Sequence, residues 1–484
     1  MTKLNEWTTA CAVCLLWVAT SLASSAQTFG TLYSFDASDG HNPQDALVQG
    51  FDGNFYGTTY YGGTHNFGTV FKITPDGALT TLYSFCMETG CADGKYPGAN
   101  VVQSTDGNLY GTTDYGGVYN GGEFFKITSG GALTVLYSFC AKATCTDGEG
   151  PYTGVIQATD GNFYGTTHSG GVYSSGSVFK LTPAGSLTTL YSFCAQSECP
   201  DGRTPTAGLV QATDGNLYGT TSLNGANGYG TVFKITTAGV FALVYNFCAE
   251  TDCTDGKYPV GLIQGTDGSL YGTAGGGAYN QGTVFRLTLA GALTTVYSFC
   301  PQTGCVDGSD PRSGVIQATD GNFYGTTDTG GAYLEGTAFE ITPAGALTIL
   351  YSFCAQSGCA DGLFLYAGLV QGTDGTFYGT TYKGGAHLDG TVFTLNTGLD
   401  PFVTLTPSSG IVHNIIGIIG QGFTGTTGVS FNGAAANFSV VSDTYLTTTV
   451  PATASTGPVT VATPDGTLTS NRPFLVVAKV SARP

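Results

Sequence analysis

Between residues 32 and 396 the 484-residue chain repeats one phrase of about 54 residues seven times. Each copy breaks into four β-branched and aromatic runs separated by glycine turns, which in the second copy are residues 99–103, 108–113, 123–128 and 132–139, here a to d. A unit of this length cannot bury its own apolar face and stacks on copies of itself. Four strands in each of seven units predict an all-β chain built as a seven-bladed β-propeller. Asp106-Gly107 between runs a and b is a hairpin signal, because glycine accepts a positive φ at no steric cost. Run b keeps a Tyr-Gly-Thr core in every copy, from Tyr56-Gly57-Thr58 to Tyr378-Gly379-Thr380. The array opens on a lone d run at 31–35 and closes on a lone c run at 391–396. The first strand is therefore expected to complete the last blade, leaving no exposed sheet edge and placing run a at the axis and run d at the rim. A six-bladed ring with a stray strand and an open solenoid are the competing arrangements.

Residues 1–26 read as a secretory signal, with Lys3 near the start, apolar residues from Ala10 to Ala23, and Ser24-Ser25-Ala26 ahead of Gln27. The apolar stretch is too short to span a bilayer. Its removal takes one of the 15 basic and one of the 33 acidic residues and leaves the net charge at −18, which argues against a nucleic-acid partner. Two Asp-Gly turns per repeat, such as Asp93-Gly94 and Asp106-Gly107, give the acidity a structural origin. Calcium binding is the competing reading, although no aspartate series has EF-hand spacing. Asp36, Asp39 and Asp45 form the one local cluster to test.

Cys11 and Cys14 fall in the signal, and the other twelve cysteines form six pairs of fixed spacing: Cys86 and Cys91, Cys140 and Cys145, Cys194 and Cys199, Cys248 and Cys253, Cys300 and Cys305, Cys354 and Cys359. Every pair follows a d run, and the first repeat lacks both cysteines and the loop that carries them. An exported chain with an even count at fixed spacing favours six local disulfides. Each small ring would remove about 2 kcal/mol of unfolded-state entropy. Zinc is the rival, without histidines beside the pairs to support it.

The d-to-a and b-to-c connections share one face, which carries the long loops and the residue that varies after each Thr-Thr or its equivalent: Tyr60, Asp114, His168, Ser222, Gly275, Asp328 and Tyr382. Function concentrates on variable loops held by a rigid scaffold, and a polar and aromatic rim suits sugars or peptide segments, whereas neutral drift also makes loops vary. Each a run carries one glutamine, from Gln49 to Gln371, which either rings the axis with amides or satisfies neighbouring backbone groups. The five histidines, His41, His65, His168, His387 and His413, lack metal-ligand spacing. No catalytic residue, metal or cofactor is assigned. Carboxylates converging across repeats remain the route to an enzyme.

Asp106-Gly107-Asn108-Leu109-Tyr110-Gly111-Thr112-Thr113, then Gly116-Gly117, then a Gly-Thr-Val-Phe-Lys-Ile-Thr pattern as at 230–236, then Leu136-Tyr137-Ser138-Phe139, resembles the GloVer tandem repeat of bacterial exported proteins. Glu123 stands where the other copies have Thr or Ser, and Glu340 and Thr394 where most have Lys or Arg. The resemblance implies a secreted, cell-surface or periplasmic bacterial protein without assigned enzymatic activity. Residues 27–398 are assigned to the propeller and 399–484 to a second β-domain. Pro407-Ser408-Ser409-Gly410, Gly420-Gln421-Gly422-Phe423, Val429-Ser430-Phe431-Asn432-Gly433 and Thr463-Pro464-Asp465-Gly466 resemble, in order, landmarks of an IPT/TIG immunoglobulin-like β-sandwich. Arg483-Pro484 follows no hydrophobic tail or evident sorting motif, so the anchor that the resemblance implies is absent or unrecognised. The expected function is a monomeric, non-catalytic binding or scaffold protein that contacts polysaccharide or an envelope protein, with no transmembrane segment once the signal is removed. An extracellular propeller glycoside hydrolase or polysaccharide lyase, and a purely structural envelope component, are the alternatives.

Overall fold

In the second repeat Val102–Gln103, Leu109–Thr113, Glu123–Ile127 and Leu133–Ser138 hydrogen-bond in chain order into one antiparallel sheet. The structure, a computed structural model, describes residues 27–477. The secretory-signal reading of residues 1–26 lies outside the described residues. Between Thr28 and Asn396 there are seven such four-stranded sheets. They form a β-propeller-like all-β ring.

Strand b is buried along its whole length and strand c nearly so, while strand d is half-buried apart from one exposed residue. The two middle strands are thus sandwiched between neighbouring sheets. The glycine of Tyr-Gly-Thr has a packing reason: a Cβ on Gly111 would lie 2.6 Å from Cζ of Phe125, whose ring covers that site from strand c. Apolar side chains of one repeat meet those of the next, as where Tyr56, Val70 and Phe85 join Leu109, Phe125 and Ile127 in a single core. The last repeat meets the first in the same way, with Tyr378 and Val392 packed against Phe35, Phe55 and Phe71.

The ring closes through the amino-terminal strand. Thr28–Ser34 pairs antiparallel with Thr391–Asn396, with Thr31 opposite Phe393 and Ser34 opposite Thr391. Phe29 stacks on Tyr351 with ring centroids 3.8 Å apart and meets Phe353 edge-on. Strand a is shorter than its apolar run. It keeps two ladder residues in six repeats, because the rest of the run leaves the sheet and turns toward the axis. Repeat 5 is the exception: it has one residue fewer between Gly256 and Gln264, and Lys257–Gln264 stays in the sheet through two register shifts.

The repeated glutamines stitch the ring together. Oε1 of Gln103 accepts the Phe51 N–H at 2.7 Å, and Gln157, Gln211, Gln264, Gln317 and Gln371 each accept a backbone N–H of the preceding repeat. Gln49 completes the circle by accepting Thr373 N–H at 2.9 Å. The aspartates have structural partners too. Tyr110 Oη donates to Asp106 Oδ2 at 2.9 Å, and Tyr137 Oη donates to Asp147 Oδ2 at 2.6 Å. The Asp36, Asp39 and Asp45 cluster divides: Asp39 accepts from the Asp36 N–H at 3.0 Å, whereas Asp45 Oδ2 accepts from the Asn100 N–H at 3.0 Å.

All six cysteine pairs are disulfide-bonded. The residue before the second cysteine lies in the left-handed region in several loops. It is Gly90, Gly304 or Gly358 in three repeats, but Thr144 at φ 55°, Glu198 at φ 69° and Asp252 at φ 57° in the others. A β-branched residue is the worst fit there, and the glycine sites are surrounded by open space. Thr144→Gly is therefore expected to raise stability by about 1 kcal/mol, read as a higher denaturation midpoint, and Gly358→Thr to lower it by a similar amount. A lower midpoint for Thr144→Gly would show that the strain is relieved by contacts in that loop.

Beyond the ring, two four-stranded sheets, one of Thr404–Thr406, Ile415–Ile419, Tyr445–Thr449 and Phe438–Ser442 and one of Ala434–Ala436, Gly428–Phe431, Val459–Thr463 and Gly466–Thr469, enclose a separate apolar core. Ile418, Phe423, Phe431, Leu446, Val461 and Phe474 form its centre. This sandwich covers the face of the a-to-b turns, called the lower face below. Tyr445 stacks on Phe51 at 4.3 Å, Phe402 N–H donates to Thr373 O at 3.0 Å, and Arg472 Nη1 donates to Gln264 O at 2.7 Å. The long loops lie on the opposite, upper face, and among the described residues these contacts of the sandwich are all with the lower one.

Candidate binding site at the upper mouth of the axis

Each long loop reaches the axis by the same route. In repeat 2 the chain passes the Cys86–Cys91 bridge, pairs Lys95 with Tyr115, and enters the left-handed region at Tyr96 (φ 59°) just before Pro97. The Tyr96 N–H donates to Phe67 O of the preceding repeat at 2.8 Å, and its carbonyl accepts the Asp114 N–H at 3.0 Å. The same carbonyl position holds the backbone of the other variable residues: Asn42 for Tyr60, Gly150 for His168, Thr204 for Ser222, Asp310 for Asp328, and Phe364 for Tyr382. Asn42, Tyr96, Thr204, Tyr258, Asp310 and Phe364 all have φ between 54° and 59°. Such residues cost on the order of 1 kcal/mol each and persist where the surroundings overdetermine them. Here they ring one opening.

The opening leads into a cavity of about 480 Å³, lined by residues that precede or begin strand a in all seven repeats. Its first tier is the residue after the proline: Gln44, Gly98, Tyr152, Thr206, Val260 and Arg312, with Tyr366 following Leu365 in repeat 7. The lining is mixed. Arg312, Tyr366, Gln44, Asp45, Asn100 and Tyr152 supply polar groups, while apolar side chains such as Leu209, Leu262, Val315 and Leu369 come from several repeats. Tyr152 reaches across repeat 2 and donates its hydroxyl to Gln44 Oε1 at 3.0 Å. It can do so because position 98 is glycine: a Cβ there would stand 3.2 Å from the Tyr152 ring. Burial pushes the Asp45 carboxyl above its ordinary value, against hydrogen bonds from the Ala46 and Asn100 N–H groups.

The residues marked by sequence variation stand one layer behind. Tyr60 Oη donates to Asp114 Oδ2 at 3.3 Å, and burial holds Asp114 up to about 6. Asp328 is pushed up to about 6 by burial, against the pull of Arg312, whose Nε lies 3.3 Å from Asp328 Oδ2 and whose Nη2 lies 2.9 Å from Asp310 Oδ2. Tyr382 stacks on Tyr366 with centroids 4.5 Å apart. Ser222 Oγ donates to Thr204 O at 2.9 Å, and Gly275 continues strand b opposite Lys257. His168 is exposed. Among the described residues no hydrogen bond or ion pair joins any two of Asp114, His168 and Asp328, and no three His, Cys, Asp or Glu side chains are grouped to hold a metal.

The tier that meets the cavity was missed by the sequence reading, although a signal existed. It is the position after the proline, or after Leu365 in repeat 7, and it changes in character from repeat to repeat: amide, nothing, phenol, hydroxyl, isopropyl, guanidinium, phenol.

These features define a tandem-repeat protein with a β-propeller-like all-β fold and a cavity on its axis. The chain belongs to the Gloeobacter/Verrucomicrobia repeat family, whose model matches residues 18–145, 93–254 and 212–441. No curated protein matches the chain. Among solved structures, a putative 6-phosphogluconolactonase from Bacteroides fragilis NCTC 9343 matches with 17% identity and a TM-score of 0.37 over 67% of this chain and 89% of that one. An auxiliary nutrient binding protein from Bacteroides ovatus ATCC 8483 matches with 11% identity and a TM-score of 0.40 over 76% of each chain. Puromycin hydrolase matches with 12% identity and a TM-score of 0.46 over 89% of this chain and 58% of that one.

Proposed function

We propose that the chain is an exported, non-catalytic bacterial binding protein whose upper cavity holds a sugar unit of a polysaccharide. In this reading residues 27–398 are a seven-bladed β-propeller and residues 399–484 an immunoglobulin-like sandwich of IPT/TIG type that spaces or presents it, as a monomer outside the cytoplasm. The observation that carries the reading is the mixed lining of the cavity. A pyranose has an apolar face and a hydroxylated edge, and the lining offers partners for both: Leu209, Val260 and Leu262 for the first, Gln44, Asp45, Asn100 and Arg312 for the second, with Tyr152 and Tyr366 as aromatic surfaces. Its volume of about 480 Å³ lies within the ordinary range of ligand pockets. Six disulfides and a leader-like amino terminus support export.

Glycan-array screening of the mature protein is expected to show retention of at least one polysaccharide without cleavage. Tyr152→Ala is expected to weaken that retention by about tenfold or more, through loss of one buried aromatic contact. Thr64→Ala, on an exposed outer loop, is expected to leave it unchanged. Retention that survives Tyr152→Ala and Tyr366→Ala together would move the site away from the axis, and shortened glycan in the eluate would establish an enzyme instead.

A further inference from the structure

We propose that the chamber between the ring and the carboxy-terminal sandwich is a second binding site, for an aliphatic carboxylate seated on Arg472. The chamber, about 690 Å³, lies between repeats 3 to 5 and the sandwich. Ile156 and Leu209 line both it and the upper cavity. Val210, Leu405, Pro407 and Leu475 extend the apolar wall downward. The glutamine amides at its edge are committed to the ring: Gln211 and Gln264 each accept a backbone N–H and donate to a glycine carbonyl.

Arg472 is the exception to this closed accounting. The hydrogen bond to Gln264 O is the one its guanidinium makes among the described residues, and no carboxylate of those residues lies within ion-pair distance. Arg286 and Arg312 differ, since Asp267 stands 2.8 Å from the first and Asp310 2.9 Å from the second. Asp267, the acid on the chamber wall, is therefore already engaged. Burial lowers the Arg472 pKa with no counter-charge opposing it. A guanidinium presents parallel N–H donors that match a carboxylate in two-point geometry, and it is weakly hydrated, so a carboxylate is the group that completes this site. Leu209, Val210, Leu405, Leu475 and Val477 give the wall a hydrocarbon portion between its hydroxyl and amide groups, and an aliphatic tail on that carboxylate packs against it. The site is independent of the sugar reading for the upper cavity.

The test is calorimetric titration of the mature full-length protein with sodium octanoate, and separately with octan-1-ol and octylamine. Octanoate is expected to bind at one site, with the alcohol and the amine weaker by at least about tenfold because they cannot satisfy the guanidinium. Arg472→Gln is expected to reduce octanoate affinity by about tenfold or more. Leu475→Trp, which keeps the guanidinium and fills the chamber, is expected to abolish binding, and this variant decides the matter if small-angle scattering shows that Arg472→Gln undocks the sandwich. Octanoate affinity equal to that of octan-1-ol, or unchanged in Leu475→Trp, overturns the proposal, as does absence of octanoate binding to the unaltered protein.

Discussion

A chain lacking residues 27–35 is expected to lose its cooperative unfolding transition and to aggregate. Thr28–Ser34 supplies the fourth strand of the last sheet, and without it Thr391–Asn396 becomes a bare edge whose first five residues are otherwise mostly buried. The loss extends beyond the ladder. Phe29 packs on Tyr351, Phe353 and Phe393, and Phe35 is fully buried against Phe71 with ring centroids 5.1 Å apart. Each buried phenylalanine contributes about 3–5 kcal/mol when truncated to alanine, so the deletion removes a large fraction of any ordinary net stability. Near-ultraviolet circular dichroism and size-exclusion chromatography of the truncated chain are the measurements. A melting profile within a few degrees of the full chain would show that the ring holds without its closing strand. Phe35→Ala alone, which keeps the ladder, is expected to fall between the two.

The second large effect is a pH dependence set by Glu123. In the other repeats this position is Thr69, Ser177, Thr231, Thr283, Thr337 or Thr391, small hydroxyls that sit in the core beside strand b. Glu123 is fully buried, with Ser138 Oγ at 2.7 Å from Oε1 and no cation near it among the described residues. Burial pushes its carboxyl up to about 8. The folded-state value thus lies above the unfolded one of about 4.3, so the protonated form is favoured by folding. The associated stability is fully present below pH 4.3, falls as pH rises toward 8, and is gone above it, a total on the order of 5 kcal/mol. Glu123→Gln is expected to match the unaltered protein at pH 4 and to melt several degrees higher at pH 9. Coincident melting temperatures across that range would mean that the carboxylate finds compensation in the folded state.

Much of the fold was legible because its signals are local. The Tyr-Gly-Thr cores, the Asp-Gly turns and the paired cysteines each report a neighbourhood of a few residues, and the lone d and c runs at the two ends of the array announced the pairing now seen between Thr31 and Phe393. The runs were less reliable at the axis. Residues 99–101 read as strand, yet the ladder keeps Val102–Gln103, because a strand nearest the axis must release its leading residues to let seven loops diverge around one opening. The glutamines could be read two ways from sequence, and the hydrogen bonds between successive repeats show them holding neighbouring backbone.

The site was harder to see. Tyr60, Asp114, Asp328 and Tyr382 advertise themselves by varying after a constant Thr-Thr, but whether a side chain meets the cavity or supports one that does depends on radial depth, which no linear pattern encodes. Glu123 illustrates the same limit. It reads as a minor departure from the repeat, and only the surrounding core makes it a buried acid.

The post-proline position has a consequence for how such proteins diversify. Its side chain projects into open space at the axis, while the prolines, glycines and left-handed residues that hold each loop lie on either side of it. Gly98 makes room for Tyr152, so the seven sites are not wholly independent, and of the seven Val260 alone is part of a β-ladder. A lineage can therefore rewrite the lining of the axis one codon at a time, on an unchanging chassis, and a library randomised at these addresses would sample new cavity surfaces with little risk to folding.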